Sequence, residues 1–551
     1  MKITVQQISS LEKVRRNDTE SYQSQTKRVA LAGERICYQV YLHTDDQAVM
    51  SVSVNSRLKE HVHLFRVRDV MMDRPIVIPT DPQDYITQEA CMMPDVLIPL
   101  EEMGNLLYVD KVPVVMWVNV DIPKDAAPGS YPVELELYIE NPVCVHVETI
   151  KTVMDIQVIA AAVPEQKLLY TRWMHLDCIA VAHNVEIFSE QHWQLIERYI
   201  ACAADLGINM LMVPVHTPPL DTQVNTCRPC VQLVDIEKTQ QGYSFDFHRL
   251  HRYIGLCKRY HIHHFEIAHM FTQWGAKFTP NIQITENGKK EYRFGWHVSS
   301  SDISYLEFLR AYIPAIVAEM EKEGVAENTY FHISDEPSLQ DEESYRTAAG
   351  IIRPLIGKCR SYDTLSACDF YEKGLVECPV TIVDKIHDFL KLNIENQWVY
   401  YCCGPNEVYP NCFMALRSYR VRILGFLLYR YQIKGFLQWG FNFYNTIRSI
   451  YPVSPYLTTS CDGAFPSGDA FIVYPGKDGP YTSIRGQITL EAMQDMNICY
   501  ALEERIGREA VEKIIDEAAG KTLRFDDYPR NNQYILDLRA KIVDAIAANL
   551  K

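Results

Sequence analysis

The chain has 551 residues, 47% of them apolar, and its 70 acidic and 54 basic residues give a formal net charge of −16. This length exceeds one ordinary hydrophobic core and predicts several globular domains. The acidic balance, without a basic stripe, argues against nucleic acid and anionic membrane surfaces as partners.

Residues 1–20 lack the apolar core of a secretory signal, and no later segment has the roughly 18 consecutive apolar residues of a membrane span. We therefore expect a cytoplasmic protein without membrane insertion, unless a signal was removed before residue 1.

The 16 cysteines are spread thinly, as is typical of reduced, buried thiols. Cys227 and Cys230 form a C-x-x-C motif, which can be half a zinc site or a redox pair. Because no second motif completes it, we favour a loop with two thiols.

From residue 29 to residue 162, short runs alternate apolar and polar residues and are separated by turn residues. This period of two predicts antiparallel strands with one buried face, and hence a β-sandwich domain over residues 1–165. Within it, the segment "MWVNVDIPKDAAPGSYPVELELY" has a Pro-Gly turn between two strand-like runs, which predicts a long hairpin.

After the linker "AAAVPEQKLL", apolar runs alternate with helical stretches. About eight such runs predict a (β/α)8 TIM barrel over residues 166–505, although the sixth run, near residues 380–383, is short. A doubly wound open sheet is the main rival, but the first strand is followed by no G-x-G-x-x-G loop. Helical periodicity toward the end of the chain predicts helices packed on the barrel, with an extension over residues 506–551.

The stretch "TYFHISDEPSLQ" ends a strand-like run with two adjacent carboxylates, Asp335 and Glu336. In a barrel, the carboxyl ends of the strands build the active site. Other predicted strand ends carry aromatic and amide side chains, which suit the apolar faces and hydroxyls of a sugar, although each aromatic alone is equally explained as core. The expected substrate contacts are Trp173, His269, Trp274, Tyr362, Tyr400, Trp439 and Asn442.

Glycoside hydrolysis usually takes two carboxylates that flank the scissile bond, and adjacent residues cannot easily do so. They suit the variant in which the 2-acetamido oxygen of the substrate attacks the anomeric carbon. Glu336 would then be the acid and base, and Asp335 would accept the acetamido N–H. A conventional mechanism would instead pair Glu336 with a carboxylate from another strand end, for which the candidates are Asp177, Asp363 and Asp384.

Two other motifs are weaker. The run "HIHHFEIAHM" contains four histidines, but their spacing is not the i, i+4 spacing of a helical metal site, so we predict no metal ligand here. No G-x-S-x-G sequence is present, so a serine nucleophile on a strand-to-helix elbow is unsupported.

In the helical region after residue 484, Arg485, Glu491 and Asp495 recur at helical spacing and predict a salt-bridged packing face.

Four motifs together resemble glycoside hydrolase family 123, a bacterial family whose founding activity is β-N-acetylgalactosaminidase. They are "HISDEP", "HMFTQWGAKF", "LQWGFNFYN" and "GDAFIVYPGKDGPYTSIRGQITLEAMQDM" (residues 468–496). The resemblance covers nearly the whole chain and implies retention by substrate assistance, with the acid pair at Asp335 and Glu336. It implies no metal and no organic cofactor.

The sequence thus predicts a hydrolase that cleaves a terminal β-linked N-acetylhexosamine, N-acetylgalactosamine first, from a glycan or glycolipid headgroup. The alternatives are a two-carboxylate glycosidase acting on a sugar without an acetamido group, and a non-catalytic carbohydrate-binding protein. The preference for galacto or gluco sugars and the oligomeric state stay open.

Overall fold

The structure is a computed structural model that describes residues 1–17, 21–76, 85–141, 146–273 and 275–550. The N-terminal part is a pair of five-stranded sheets with the orders β1-β3-β8-β5-β6 and β2-β10-β9-β4-β7. Their strands are β1 (Ile3–Ser9), β2 (Lys27–Ala32), β3 (Arg35–Thr44), β4 (Ala48–Asn55), β5 (Val62–Met72), β6 (Cys91–Pro99), β7 (Leu106–Val109), β8 (Val114–Asp121), β9 (Gly129–Asn141) and β10 (His146–Ala162).

The predicted hairpin across the Pro-Gly turn is wrong. β8 and β9 belong to different sheets, so the turn carries the chain from one layer to the other, and β9 pairs with β10 instead. The pairing is antiparallel except between β2 and β10, which run parallel. Alternate side chains of both sheets meet in one apolar layer that includes Val40, Met50 and Leu137.

The second part of the chain contains a closed barrel of eight parallel strands in the order β11-β12-β15-β18-β19-β20-β21-β22. The short sixth run is a strand of it, β20. A four-stranded sheet (β13, β14, β16, β17) and a two-stranded ribbon (β23, β24) accompany the barrel. The strands are β11 (Leu169–Arg172), β12 (Met210–Val213), β13 (Asp235–Thr239), β14 (Gly242–Asp246), β15 (His264–Ile267), β16 (Ile282–Glu286), β17 (Lys289–Phe294), β18 (Thr329–His332), β19 (Arg360–Leu365), β20 (Cys378–Ile382), β21 (Trp398–Tyr400), β22 (Gly435–Gln438), β23 (Tyr474–Pro475) and β24 (Pro480–Tyr481).

Large side chains fill the barrel interior, so the barrel is a packed core rather than a pore. Met212, Tyr330, Tyr362 and Trp398 belong to one buried cluster inside the ring of strands. The barrel interior below the carboxyl ends of the strands is therefore solid.

Helices cover only part of the barrel, which corrects the expectation of one full helix after each strand. The helices after β19 and β20 have four residues each, and the segment from 401 to 418 after β21 contains no helix. The helices are α1 (Leu176–Ala182), α2 (Glu190–Asp205), α3 (His248–Arg259), α4 (Ile303–Lys322), α5 (Glu342–Ile352), α6 (Asp369–Glu372), α7 (Ile386–Phe389), α8 (Tyr419–Arg430), α9 (Ile484–Ile506), α10 (Arg508–Ala519) and α11 (Asn532–Ala548).

Helix α9 lies between the sandwich and the barrel. Its residue Arg485 forms a buried ion pair with Asp95 of β6, while Glu491 and Asp495 both pair with Arg422 of α8. The predicted salt-bridged packing face of this helix is confirmed. Within the described residues, no helix has the length and apolar character to cross a membrane.

Candidate active site

The acid pair follows β18 and faces a cavity of about 140 Å³ at the carboxyl ends of the barrel strands. Neighbouring side chains of an extended strand point to opposite sides, so adjacency alone would separate the two carboxylates. The backbone of Glu336 has φ 45°, in the left-handed region. This turn lets both Asp335 and Glu336 line the same cavity.

Thr364, in β19, bonds both residues of the acid pair. Its hydroxyl oxygen accepts a hydrogen bond of 3.0 Å from the backbone N–H of Glu336, and its hydroxyl hydrogen is donated to Oδ1 of Asp335 at 2.7 Å. Because one lone pair of the hydroxyl is used by the N–H, its hydrogen is directed at Asp335. Thr364 therefore fixes the backbone of Glu336 and supplies one of the hydrogen bonds to the Asp335 carboxylate.

Gln273 holds the second oxygen of Asp335. Its side-chain nitrogen donates to Oδ2 of Asp335 at 2.7 Å, and its side-chain oxygen accepts from the backbone N–H of Asp221 at 2.7 Å. The bond to Asp221 fixes which end of the amide is the donor, so Asp335 receives an N–H. Both oxygens of Asp335 thus accept hydrogen bonds, which is the arrangement of an ionised carboxylate.

Burial and the neighbouring Glu336 nevertheless raise the pKa of Asp335 to about 7, against the lowering effect of Gln273 and Thr364. Glu336 has a different partner, since the hydroxyl of Tyr400 donates to its Oε1 at 2.8 Å. The two adjacent carboxyls therefore have unequal surroundings, which is the condition for unequal roles.

The cavity is walled by aromatic and aliphatic side chains on the sides away from the acids. A third carboxylate among the described lining residues is Asp221, whose Oδ2 accepts from the backbone N–H of Arg448 at 2.8 Å. The complete described lining is Trp173, His175, Leu220, Asp221, Gln273, Asp335, Glu336, Thr364, Tyr400, Cys402, Cys403, Leu437, Trp439, Phe443 and Phe465.

Each of the two tryptophans in the lining is held by a buried carboxylate. The indole N–H of Trp173 donates to Glu266 at 3.1 Å, and that of Trp439 donates to Asp469 at 3.0 Å. Burial raises the pKa of Asp469 to about 7. Since an indole has one donor and a bulky ring, this bond fixes the plane that it presents to a ligand.

Beneath the cavity lies a buried polar layer around His332, the first residue of the "HISDEP" motif. Its ring nitrogens lie 2.9 Å from Glu266 and 3.3 Å from Asp363, so the ring donates to a carboxylate on each side. Burial alone would lower the pKa of His332, but Asp363 and Glu266 raise it to about 9. Glu266 also accepts from Thr171 and Tyr362. The layer is a charged floor under the acid pair.

The structure brings five of the predicted site residues to the cavity: Trp173, Asp335, Glu336, Tyr400 and Trp439. Three others lie outside the described lining. The ring of His269 stacks on that of His332 at 4.0 Å, the hydroxyl of Tyr362 donates to Glu266, and the side chain of Asn442 bonds the backbone of His175. Trp274 lies outside the described residues.

The carboxylates that a conventional mechanism would have used are engaged elsewhere. Asp177 forms a buried ion pair with Arg228, and Asp363 bonds His332. Together with Asp384, they lie outside the cavity lining that the described residues form. The carboxylate that does reach the cavity, Asp221, follows the second barrel strand in a long loop, where no local pattern marks it.

No group of three or more histidines, cysteines and acids could hold a metal ion within the part of the chain that the structure describes. Cys227 is exposed and Cys230 half-buried, on the loop that follows β12.

A barrel whose strand ends carry an acid pair among fixed aromatic rings has the architecture of a glycoside hydrolase. The family model described as "Glycoside hydrolase 123, catalytic domain" matches residues 173–502, more than half of the chain. The chain therefore belongs to glycoside hydrolase family 123.

Among solved structures, a family 123 glycoside hydrolase from Clostridium perfringens, described in a study of glycolipid glycan hydrolysis, has a TM-score of 0.73 and 14% identity, over 99% of this chain and 98% of that chain. This match shows the shared fold of both parts. A β-glucuronidase from Parabacteroides merdae reaches a TM-score of 0.31 at 11% identity, over 91% of this chain and 51% of that chain, which is too low to indicate a common fold. Curated protein sequences give no match.

Proposed function

We propose that this glycoside hydrolase releases a terminal β-linked N-acetylhexosamine, N-acetylgalactosamine first, with retention and by substrate assistance. The observation that carries the proposal is the adjacency of Asp335 and Glu336 in one cavity, where each has its own set of donors. Two carboxylates on one side of a bond cannot flank it, so the nucleophile has to come from elsewhere.

In the first step, Glu336 donates its proton to the glycosidic oxygen as the bond to the anomeric carbon breaks. The carbonyl oxygen of the 2-acetamido group forms a bond to that carbon from the opposite face, which gives an oxazolinium ion and a free alcohol. Tyr400, whose hydroxyl donates to Oε1 of Glu336, orients this carboxyl and stabilises the carboxylate that it becomes.

Asp335 acts on the acetamido group. As a carboxylate it accepts the acetamido N–H, which turns the carbonyl oxygen toward the anomeric carbon and stabilises the positive charge of the oxazolinium. Gln273 and Thr364 hold the Asp335 carboxylate by both of its oxygens, so it reaches the substrate already oriented.

In the second step, Glu336 takes a proton from water while the water oxygen attacks the anomeric carbon. The bond to the acetamido oxygen breaks, the acetamido group is restored, and the sugar leaves with its original β configuration. No group other than the acid pair, water and the substrate is required.

We further propose a glycan or glycolipid headgroup as the source of the sugar. The family 123 enzyme from Clostridium perfringens has been described for glycolipid glycan hydrolysis, and this chain has the same fold over nearly its full length. The cavity, with Trp173, Trp439 and Phe443 in its wall, offers apolar faces to a sugar ring and to whatever is attached to it.

A second candidate rests on Asp221. Because its carboxylate lines the same cavity, it could serve as the base or nucleophile of a conventional two-carboxylate glycosidase on a sugar without an acetamido group.

The test is turnover of four aryl β-glycosides: those of N-acetylgalactosamine, N-acetylglucosamine, galactose and glucose. We expect release only from the acetamido sugars, and a loss of ~10²–10⁴-fold in kcat for Glu336→Gln. Glu343→Gln, which changes an exposed acid on α5, should keep full turnover. Equal release from galactose or glucose would favour the two-carboxylate candidate, and full activity of Glu336→Gln would refute the assigned acid.

A further inference from the structure

Two neighbouring cysteines at the end of β21 lie in the wall of the catalytic cavity. Cys402 and Cys403 both belong to the lining, with Glu336 and Tyr400, and their sulfur atoms are 4.0 Å apart. Cys402 is half-buried and Cys403 is exposed. The mechanism proposed above uses neither thiol.

The turn that carries these thiols is held in place by the backbone and by one buried side chain. The N–H of Cys402 donates to the carbonyl of Gly404 at 3.0 Å. The side-chain nitrogen of Asn411, which is fully buried, donates to the carbonyls of Cys402 at 3.1 Å and Pro405 at 3.2 Å. The backbone from which the two sulfurs project is therefore held by bonds that do not involve them.

A pair of sulfurs in contact is a bidentate ligand for a soft, thiophilic centre. We propose that Cys402 and Cys403 form a dithiol site that binds trivalent organoarsenicals across the two sulfurs, and that an occupied site blocks the cavity beside Glu336. The binding does not depend on the proposed function, whereas the blockade of turnover rests on it.

A direct disulfide between Cys402 and Cys403 is geometrically less favourable than an arsenic bridge. Consecutive Cα atoms are ~3.8 Å apart, while protein disulfides usually span ~4.4–6.8 Å between Cα atoms. An arsenic atom between the sulfurs enlarges the ring by one atom and removes the need for the sulfurs to approach to bonding distance. The geometry thus favours a bridging atom over an S–S bond.

The reaction needs no oxidant. With phenylarsine oxide, the two As–S bonds form as the arsenic–oxygen bonds break, and the two thiol protons leave with the oxygen as water. Arsenic stays trivalent, and no sulfur is oxidised. The contact with Cys403, together with burial, raises the pKa of the Cys402 thiol, so this proton is still present to be released.

The test is a titration of the purified protein with phenylarsine oxide, followed by calorimetry, intact mass and peptide mapping. We expect one tight equivalent, the loss of two free thiols, and the arsenic on the peptide that contains Cys402 and Cys403. Cys403→Ser should bind on the order of 10²-fold more weakly, because the second tether is gone. Cys227→Ser removes the other exposed cysteine of the described residues and should bind as tightly as the unaltered protein.

Blockade is measured in the same samples. Turnover of the aryl N-acetylgalactosaminide should fall with occupancy and return on addition of 2,3-dimercaptopropanol. Unchanged affinity in Cys403→Ser, or arsenic mapped to other cysteines of the unaltered protein, would overturn the site. Occupancy at Cys402 and Cys403 with full turnover would overturn the blockade. If the protein turned over no acetamido sugar, the proposed function would fail while mass and calorimetry still decided the site.

Discussion

At the scale of single residues, the division of labour between Asp335 and Glu336 depends on neighbours that carry no charge. Thr364 bonds both acids, and Gln273 joins Asp335 to the backbone of Asp221. Neither side chain can take a proton from the substrate, yet together they hold both oxygens of Asp335 and the backbone of Glu336.

Thr364→Val should remove both bonds while keeping the shape of the side chain. We expect kcat to fall on the order of 10²-fold with a smaller change in KM, because a misplaced acid costs mainly in the transition state. Thr364→Ser retains the hydroxyl and should recover most of the activity. Thr347→Val, on the exposed face of α5, is the control for a general effect of the substitution. Equal kinetics of the valine and serine variants would show that Thr364 only fills space.

The raised pKa of Asp335 predicts a pH-dependent cost in stability. A carboxyl whose pKa rises from about 4 in the unfolded chain to about 7 in the fold stabilises the fold at low pH, and this contribution is lost between those two values. Relative to the unaltered protein, Asp335→Asn should therefore gain in free energy of unfolding as the pH rises from about 4 to about 7. Urea denaturation at several pH values measures this difference, and a constant difference would contradict the assigned pKa.

Site residues whose chemical type is rare at a strand end can be predicted from the sequence, whereas those of a common type cannot. Asp335, Glu336 and the two tryptophans stand out by charge or size. Thr364 and Gln273 are ordinary polar residues, and their importance comes from three-dimensional contacts alone. Tyr362 shows the opposite case, since its type suits a sugar but its position in β19 is one layer too deep.

At the scale of elements, the barrel was foreseeable because its strands are apolar runs that alternate with helical stretches. The sandwich was foreseeable as a class, but β1 lies before the alternating region that begins at residue 29, so the sequence pattern does not predict it. The wrong β8–β9 hairpin has a physical reason as well. A turn sequence says that the chain reverses, but not whether the next strand pairs beside it or packs in the opposite sheet.

Helices α8 and α9 approach each other closely at a glycine. A Cβ on Gly425 of α8 would lie 1.9 Å from the carbonyl oxygen of Ala492 in α9, whereas a Cβ on Gly255 of α3 would meet nothing within 4 Å. Gly425→Ala should therefore destabilise the protein by about 1–3 kcal/mol or more. Gly255→Ala should stabilise it by about 0.5–1 kcal/mol through helix propensity. Chemical denaturation of both variants gives the comparison, and a stabilised Gly425→Ala would contradict the close packing.

At the scale of the whole molecule, the sandwich and the barrel share a hydrophobic core, with Trp117 of the sandwich in the same buried cluster as the barrel helices. The domain boundaries at 165 and 505 that the sequence predicts follow changes in local pattern. They do not reveal that α9 packs on both parts, because that contact joins residues hundreds of positions apart.

Replacing one member of the buried ion pair between Asp95 and Arg485 tests whether the sandwich and the barrel stabilise each other. Both side chains are almost inaccessible, and Tyr474 also donates to Asp95 at 2.6 Å. Asp95→Ala should cost about 3–5 kcal/mol, because it leaves a buried guanidinium without its partner. Glu517→Ala, in an exposed pair on α10, should change little. We expect the unaltered protein to unfold in one calorimetric transition. Separate melting of the sandwich and the barrel would contradict the shared core.

In the proposed mechanism the substrate supplies the nucleophile, Glu336 transfers the protons and Asp335 orients the acetamido group. The most direct measurement is kcat/KM for aryl β-glycosides whose N-acetyl group carries zero, one, two or three fluorine atoms. Because fluorine withdraws electrons from the attacking carbonyl oxygen, we predict a steep fall along the series. An unchanged rate across the series would mean that an enzyme carboxylate, with Asp221 the first candidate, attacks the anomeric carbon instead.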